Sequence, residues 1–190
     1  YPILAANVLN NEGQPAFGPA YKIIEEEGVK IGIVGFLTQY IPHWEKPSII
    51  KDLTFQSILT TAKDILPDLR QSVDLLIVAY HGGFERDLQT GLPTESLTGE
   101  NEAYQLVEEY KDYIDALVTG HQHREIADHL FGVPVIQPGY RGAFVGEIEL
   151  ELDNHKKVVA SNARLHKTEN CKVSSEVNQL ISDVSTEAED

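Results

Sequence analysis

Asp74-Leu75-Leu76-Ile77-Val78-Ala79-Tyr80-His81-Gly82-Gly83 and Asp115-Ala116-Leu117-Val118-Thr119-Gly120-His121-Gln122-His123 follow one plan. Each opens on an aspartate, runs through a short apolar stretch and ends in glycine and histidine. A short apolar run bounded by turn residues reads as a strand buried on both faces, the kind that fills a parallel sheet. The histidines then stand at the C-terminal ends of their strands, where open α/β sheets bind ligands. These two segments make the chain an α/β protein with its chemistry at one end of the sheet.

Working outward, residues 21–26 and 29–36 read as strands joined at Gly28. Ile58, Leu59, Ala62, Ile65 and Leu66 recur at helical spacing, so residues 55–66 are expected to form a helix that stops at Pro67. Residues 102–113 read as a helix and 133–137 as a short strand. Residues 144–152 and 157–165 alternate apolar with polar side chains, which predicts a half-exposed antiparallel pair turning at Asp153-Asn154-His155-Lys156. Residues 1–8 read as a buried strand already under way. Residues 174–190 read as an amphipathic helix carrying Val177, Leu180, Ile181 and Val184. Both ends are expected to continue into absent chain. There is no internal repeat and no low-complexity segment.

Of the 190 residues, 42% are hydrophobic and 24% charged, the balance of a globular domain with a sizeable core. A formal net charge of −15 argues against a nucleic-acid polymer as partner, since phosphate backbones are held by clustered Lys and Arg. It leaves room for a small phosphorylated substrate whose charge is met by bound cations. Cys171 is the single cysteine and cannot form an internal disulfide, which leaves the redox compartment open. No apolar run reaches the roughly 18 residues of a membrane span, and no leader pattern opens the chain. A cytoplasmic location is expected, with exported or cell-surface placement as the alternative.

Imidazole suits Mn, Fe, Co, Ni and Zn. The flanking glycines are expected to let the backbone turn tightly and a metal or phosphate come close. In an extended loop His121 and His123 would point the same way; otherwise they diverge and can serve two adjacent ions. His81 alone reads first as a hydrogen-bonded structural residue, and an isolated His-x-His is evenly balanced. Two such strand ends in one α/β chain favour metal binding. His43, His155 and His166 sit among polar residues and read as solvated. Asp128-His129 after His123 superficially completes the His-x-His-x-Asp-His box of metallo-β-lactamase-like hydrolases. That box places Asp two residues after the second histidine, and here the gap is five, so the spacing fails. Trp44 reads as a packing anchor before a stacking platform.

The AYHGG segment with His81 and the TGHQH segment with His121 and His123 resemble the last two signature blocks of the calcineurin-like metallophosphoesterases. Within that superfamily, Ala5-Ala6-Asn7-Val8 is similar to the strand after the Gly-Asn-His-Glu block of 5'-nucleotidases. The stretch from Gly35-Phe36 to Trp44-Glu45 resembles a segment of 2',3'-cyclic-nucleotide phosphodiesterases, and Glu100-Asn101-Glu102-Ala103-Tyr104 their Glu-Asn-x-Ala-Tyr helix start. Gln137-Pro138-Gly139, with Gly142 and Gly146, fits the closing Pro-Gly loop and strand. The match covers roughly residues 1–152, and Gly-His-Gln-His is its most specific part.

The resemblance implies a layered α/β/β/α domain, incomplete at its N-terminal side. Residues 1–168 would be the C-terminal part of the catalytic domain, and 169–190 a helical linker or the start of a following domain. It implies metal-dependent hydrolysis of nucleotide phosphoesters with two divalent ions of the Mn, Zn, Fe, Co or Ni class. His81 and His121 would bind one ion and His123 the other. The remaining ligands and the catalytic histidine are expected upstream, so this chain is expected to be inactive alone. A C-terminal substrate-binding domain would supply base-stacking aromatics. Asn7, Glu100, Asn101 and Arg141 are lesser candidates that could orient ligands or meet phosphate, with turn, cap or surface roles favoured for each, and Asn101 a suitable helix cap. The alternative is a module that kept the fold, lost catalysis and serves in binding or as a scaffold.

Overall fold

The computed structural model describes residues 2–189. In chain order the elements are β1 (Val8–Leu9), β2 (Tyr21–Glu26), β3 (Val29–Leu37), a 3-10 turn (Ile41–His43), α1 (Pro47–Ile50), β4 (Thr54–Phe55), α2 (Ile58–Ser72) and β5 (Leu75–His81). There follow α3 (Ala103–Tyr110), β6 (Ala116–Thr119), β7 (Glu125–Leu130), β8 (Val133–Pro138), β9 (Phe144–Leu152), β10 (Val158–Lys167) and α4 (Ser175–Glu189).

Six strands form one sheet in the order β2-β3-β5-β6-β8-β7. The four central strands run parallel, and β2 and β7 close the edges antiparallel. Parallel neighbours require crossovers. Helix α2 makes the one from β3 to β5, and α3 the one from β5 to β6. Both helices lie on the same face, where Ile58, Ala62, Leu66, Leu69, Leu106 and Val107 pack with Val34, Phe36, Leu76, Val78, Leu117 and Val135 in one buried cluster. Full burial of each such side chain contributes about 1.5–3 kcal/mol before entropy is counted. At the N-terminal end of the strands the Asp115 carboxylate accepts from Leu76 N at 2.7 Å and pairs with the Arg70 guanidinium, which also donates to Asp74 O at 2.7 Å. That fastening joins α2 to the starts of β5 and β6.

The other face is covered only in part. The predicted pair, β9 and β10, is antiparallel and turns where expected. It lies against β8 and β7, leaving a cleft of about 190 Å³ lined by Ile77, Val118, Ile136, Ile148 and Leu150 among others. Val118, in the middle of β6, remains 39% exposed.

Some expectations change. Pro67 does not end α2, which continues to Ser72. The lost backbone donor is outweighed by Leu66 and Leu69, whose burial draws the helix across the proline. Residues 2–7 are not a strand. Ala6 N donates to Gly35 O at 2.8 Å and only Val8–Leu9 pairs, with β4; Tyr1 lies outside the described residues. Strand β7 was not expected, because its alternation of Ile126, Asp128 and Leu130 is interrupted by polar side chains on both faces. The apolar residues of α4, Val177, Leu180, Ile181 and Val184, are exposed, and Asp190 lies outside the described residues. No described helix is long and apolar enough to cross a membrane.

Candidate metal centre

Parallel pairing sets His81, the last residue of β5, beside Leu37, and Thr119 beside Tyr80. The loops after β3, β5 and β6 therefore leave the sheet at one end. His81 stands on the rim of a cleft of about 420 Å³ lined by Leu4, Gly35, Leu37, Val118 and Gly120. Its ring lies 5.5 Å from that of His121, edge to face. Two imidazoles sharing one ion at about 2.1 Å would have ring centres roughly 5 Å apart, so this pair suits a shared divalent ion. Partial desolvation, and then His121 and His123, hold the His81 imidazole below its ordinary value, favouring the neutral form that metals bind. Among the described residues, no group of three or more His, Cys, Asp or Glu converges as a metal site. The pair thus fits part of one ion's shell and not the whole of it.

The His121–His123 loop is not extended. Both histidines have left-handed backbone, φ +68° and +58°. A non-glycine residue so placed costs on the order of 1 kcal/mol or more and persists only where its surroundings hold it, most often at functional sites. The two side chains consequently separate. His121 meets His81, hydrogen-bonds through Nε2 to Glu100 Oε1 at 2.8 Å and lies against Trp44, ring centres 5.6 Å apart. His123 stacks on Tyr140 at 5.1 Å, and the Arg141 guanidinium lies 5.4 Å from the other ring partner's centre, that of Tyr140. The divergent alternative for His-x-His is the one adopted.

Between them Gln122 fastens the two strand ends together. Its Oε1 accepts from Phe84 N at 2.9 Å, and its Nε2 donates to Phe84 O at 3.0 Å and to Glu95 Oε2 at 3.0 Å. This contact explains the glycines differently from expectation. A Cβ on Gly83 would fall on the Gln122 amide, and one on Gly82 on the Tyr80 ring. Their missing side chains admit protein neighbours rather than a ligand. Beneath the loop, buried Gln137 accepts from Arg124 N at 2.8 Å and donates to Thr119 Oγ1 at 3.1 Å.

The lesser candidates part ways. Asn7 is buried, its Nδ2 donating to Leu37 O and Gln56 O and its Oδ1 accepting from Leu37 N. Asn101 accepts from Gly83 N at 2.6 Å and donates to Glu95 Oε1 at 2.8 Å, bracing the loop after β5. It does not cap α3. That role falls to buried Glu85, whose carboxylate accepts from Tyr104 N and Gln105 N at 3.0 and 2.9 Å. Glu85 was missed because its distance in sequence from α3 hides the contact. Trp44 is 47% exposed and so is no core anchor. Glu100, by contrast, reaches the histidine pair.

No family model matches the chain. The chain is 28% identical over 176 residues to the trifunctional nucleotide phosphoesterase protein YfkN of Bacillus subtilis, covering 80% of this chain and 12% of that protein. It is 29% identical over 178 residues to a 2',3'-cyclic-nucleotide 2'-phosphodiesterase/3'-nucleotidase of Salmonella typhimurium, covering 81% and 26% respectively. It therefore spans 12% and 26% of these curated relatives. Among solved structures it superposes on a candidate 5'-nucleotidase of Staphylococcus aureus, in complex with alpha-ketoglutarate, with TM-score 0.88 and 36% identity over 98% of this chain and 37% of that one. It superposes on the calcineurin-like phosphoesterase YfkN of Bacillus subtilis with TM-score 0.81 and 25% identity, over 98% and 62%. Sequence and fold agree: the relatives and structural neighbours of this chain are 5'-nucleotidases, cyclic-nucleotide phosphodiesterases and calcineurin-like phosphoesterases, the superfamily and family that its motifs resemble.

Proposed function

We propose that this chain supplies the histidine-bearing strand ends of a two-ion phosphoester hydrolase acting on nucleotides, of the 5'-nucleotidase or 2',3'-cyclic-nucleotide phosphodiesterase type. The observation that carries it is the meeting of His81 and His121 from two parallel strands. The activities of the relatives, a nucleotide phosphoesterase and a 2',3'-cyclic-nucleotide 2'-phosphodiesterase/3'-nucleotidase, supply the substrate class. His81 and His121 take one ion, and His123, turned away on Tyr140, takes the second. Bound ions of the Mn, Zn, Fe, Co or Ni class would supply positive charge for the phosphate oxygens and acidify a water nucleophile. Gln122, Glu95 and Asn101 keep the two strand ends in register. Arg141, beside His123, offers a guanidinium to phosphate.

The other ligands and the leaving-group acid are assigned to an N-terminal half of the domain, which would also cover the open face of the sheet. Residues 1–168 belong to the catalytic domain, and 169–190 lead toward a substrate-binding domain. A second reading, a fold that binds without hydrolysing, draws on the absence of a third ligand beside His81 and His121 among the described residues.

The test is Mn²⁺-dependent phosphate release from AMP and ring opening of 2',3'-cyclic AMP, comparing the 190-residue chain with one extended upstream. Activity confined to the extended chain and abolished by His81→Ala or His121→Ala is expected. An extended chain that binds metal and nucleotide without turnover would establish the second reading. Full activity in the short chain would overturn the ligand assignment.

A further inference from the structure

Glu100 is delivered to the histidine pair by neighbouring strands rather than by a helix of its own. Its carbonyl accepts the Thr38 hydroxyl at 2.6 Å, just beyond β3, and the Tyr80 hydroxyl at 3.2 Å, next to the end of β5. Thr38 and Tyr80 are both buried, so the two anchors are fixed by the core. A third bond, Glu100 N to Thr98 Oγ1 at 3.3 Å, holds the approach from the other side. With its backbone pinned in this way, the side chain meets His121 Nε2 at 2.8 Å, while Trp44 lies against the same imidazole.

An ionised carboxylate only accepts hydrogen bonds, so this contact requires the His121 proton on Nε2. The lone pair of the neutral ring is then on Nδ1. A carboxylate bonded to the far nitrogen of an imidazole fixes ring orientation and raises its basicity as a ligand. Removing such a partner typically weakens metal binding about 10–100-fold.

We propose that Glu100 is a positioning residue that selects the Nε2–H tautomer of His121 and thereby presents Nδ1 as the metal-binding atom. The proposal rests on the reading of His121 as a ligand. It adds that strands β3 and β5, through Thr38 and Tyr80, set the chemistry of a histidine on β6. The end of the sheet therefore acts as one unit.

The test is a long-range proton–nitrogen correlation spectrum of the ¹⁵N-histidine-labelled 190-residue chain without metal, above the imidazole titration range, followed by a Zn²⁺ titration. The wild type is expected to show His121 as the Nε2–H tautomer. Glu100→Ala is expected to give mixed tautomers and Zn²⁺ affinity lower by about 10–100-fold, with unchanged circular dichroism. Glu100→Gln, which keeps the shape and an acceptor oxygen, is expected to hold the tautomer and lose less affinity, so a folding defect in the alanine variant does not decide the result. An Nδ1–H tautomer in the wild type overturns the proposal. So does Zn²⁺ that perturbs His81 and His121 equally well in wild type and Glu100→Ala, and it leaves the metal reading standing. Zn²⁺ that perturbs neither histidine in the wild type overturns the reading of His81 and His121 as a pair that holds an ion in this chain, and the proposal with it.

Discussion

The two faces of the central sheet carry similarly apolar residues and have opposite surroundings. On the helix side, Val34, Phe36, Leu76, Val78 and Leu117 are fully or almost fully buried under α2 and α3. On the other side, Ile33, Ile77 and Ala79 are half-buried and Val118 is exposed, because β9 and β10 reach only the β8–β7 end. Strand sequence reports what a face is suited to bury, and a parallel strand is suited to bury both. Whether a layer arrives is decided by other parts of a polypeptide. Stability in this chain therefore comes mainly from the helix side. The open side ends at the rim where His81 stands, so the least covered part of the core adjoins the candidate site.

Several substitutions can break or sharpen this contrast. Leu76→Ala on the covered face is expected to lower unfolding free energy by about 2–5 kcal/mol, read by urea denaturation, because it leaves a cavity among close-packed neighbours. Val118→Thr on the open face should cost under about 1 kcal/mol by the same measurement. Equal losses would mean that both faces are covered in solution. Asp115→Ala is expected to cost roughly 3 kcal/mol, since it strands the Arg70 guanidinium and Leu76 N at the base of the sheet. Gly83→Ala, at the site end, forces a Cβ onto Gln122 and should cost about 1–3 kcal/mol. Its amide shift changes are expected to spread to His121 and His123 rather than to the helices.

One expected effect depends on pH. Glu102 has one carboxyl oxygen buried without a hydrogen-bond partner. Burial first, and then the charge of Glu85, push its pKa up to about 7. A carboxyl raised in the folded state holds a proton that the unfolded chain has released. Its stabilising contribution is present below the ordinary glutamate range and is lost as pH rises through about 7. Glu102→Gln should therefore match the wild type in mild acid and exceed it in mild alkali by about 1 kcal/mol, a figure reduced for solvent screening. A pH-independent difference between the two melting curves would contradict that assignment.

Much of the fold could be read from local pattern. Strands β5 and β6 announced themselves because both faces are apolar, and β9 and β10 because only one is. What escaped depends on contacts distant in sequence. Leu66 and Leu69 carry α2 past Pro67 because a sheet lies beneath them. Glu85 caps α3 across an intervening loop. Asn7 spends its amide on residues 37 and 56, which no local pattern brings together. At the site, the histidines were visible as residue types at strand ends. Their separation was open, because it follows from the left-handed backbone at His121 and His123. The glycines were visible as well, but their purpose was not, because Gln122 and Tyr80 fill the space beside them.

The most direct test of the central claim uses Trp44, the sole tryptophan, whose ring centre lies 5.6 Å from that of His121. Titrating the chain with Ni²⁺ while following tryptophan fluorescence should give saturable quenching in the wild type and in a His155→Ala control. Quenching should be lost in His81→Ala and His121→Ala, each variant keeping a native circular dichroism spectrum. Equal quenching in all four proteins, or none in the wild type, would contradict the assignment of His81 and His121 as partners on one metal ion.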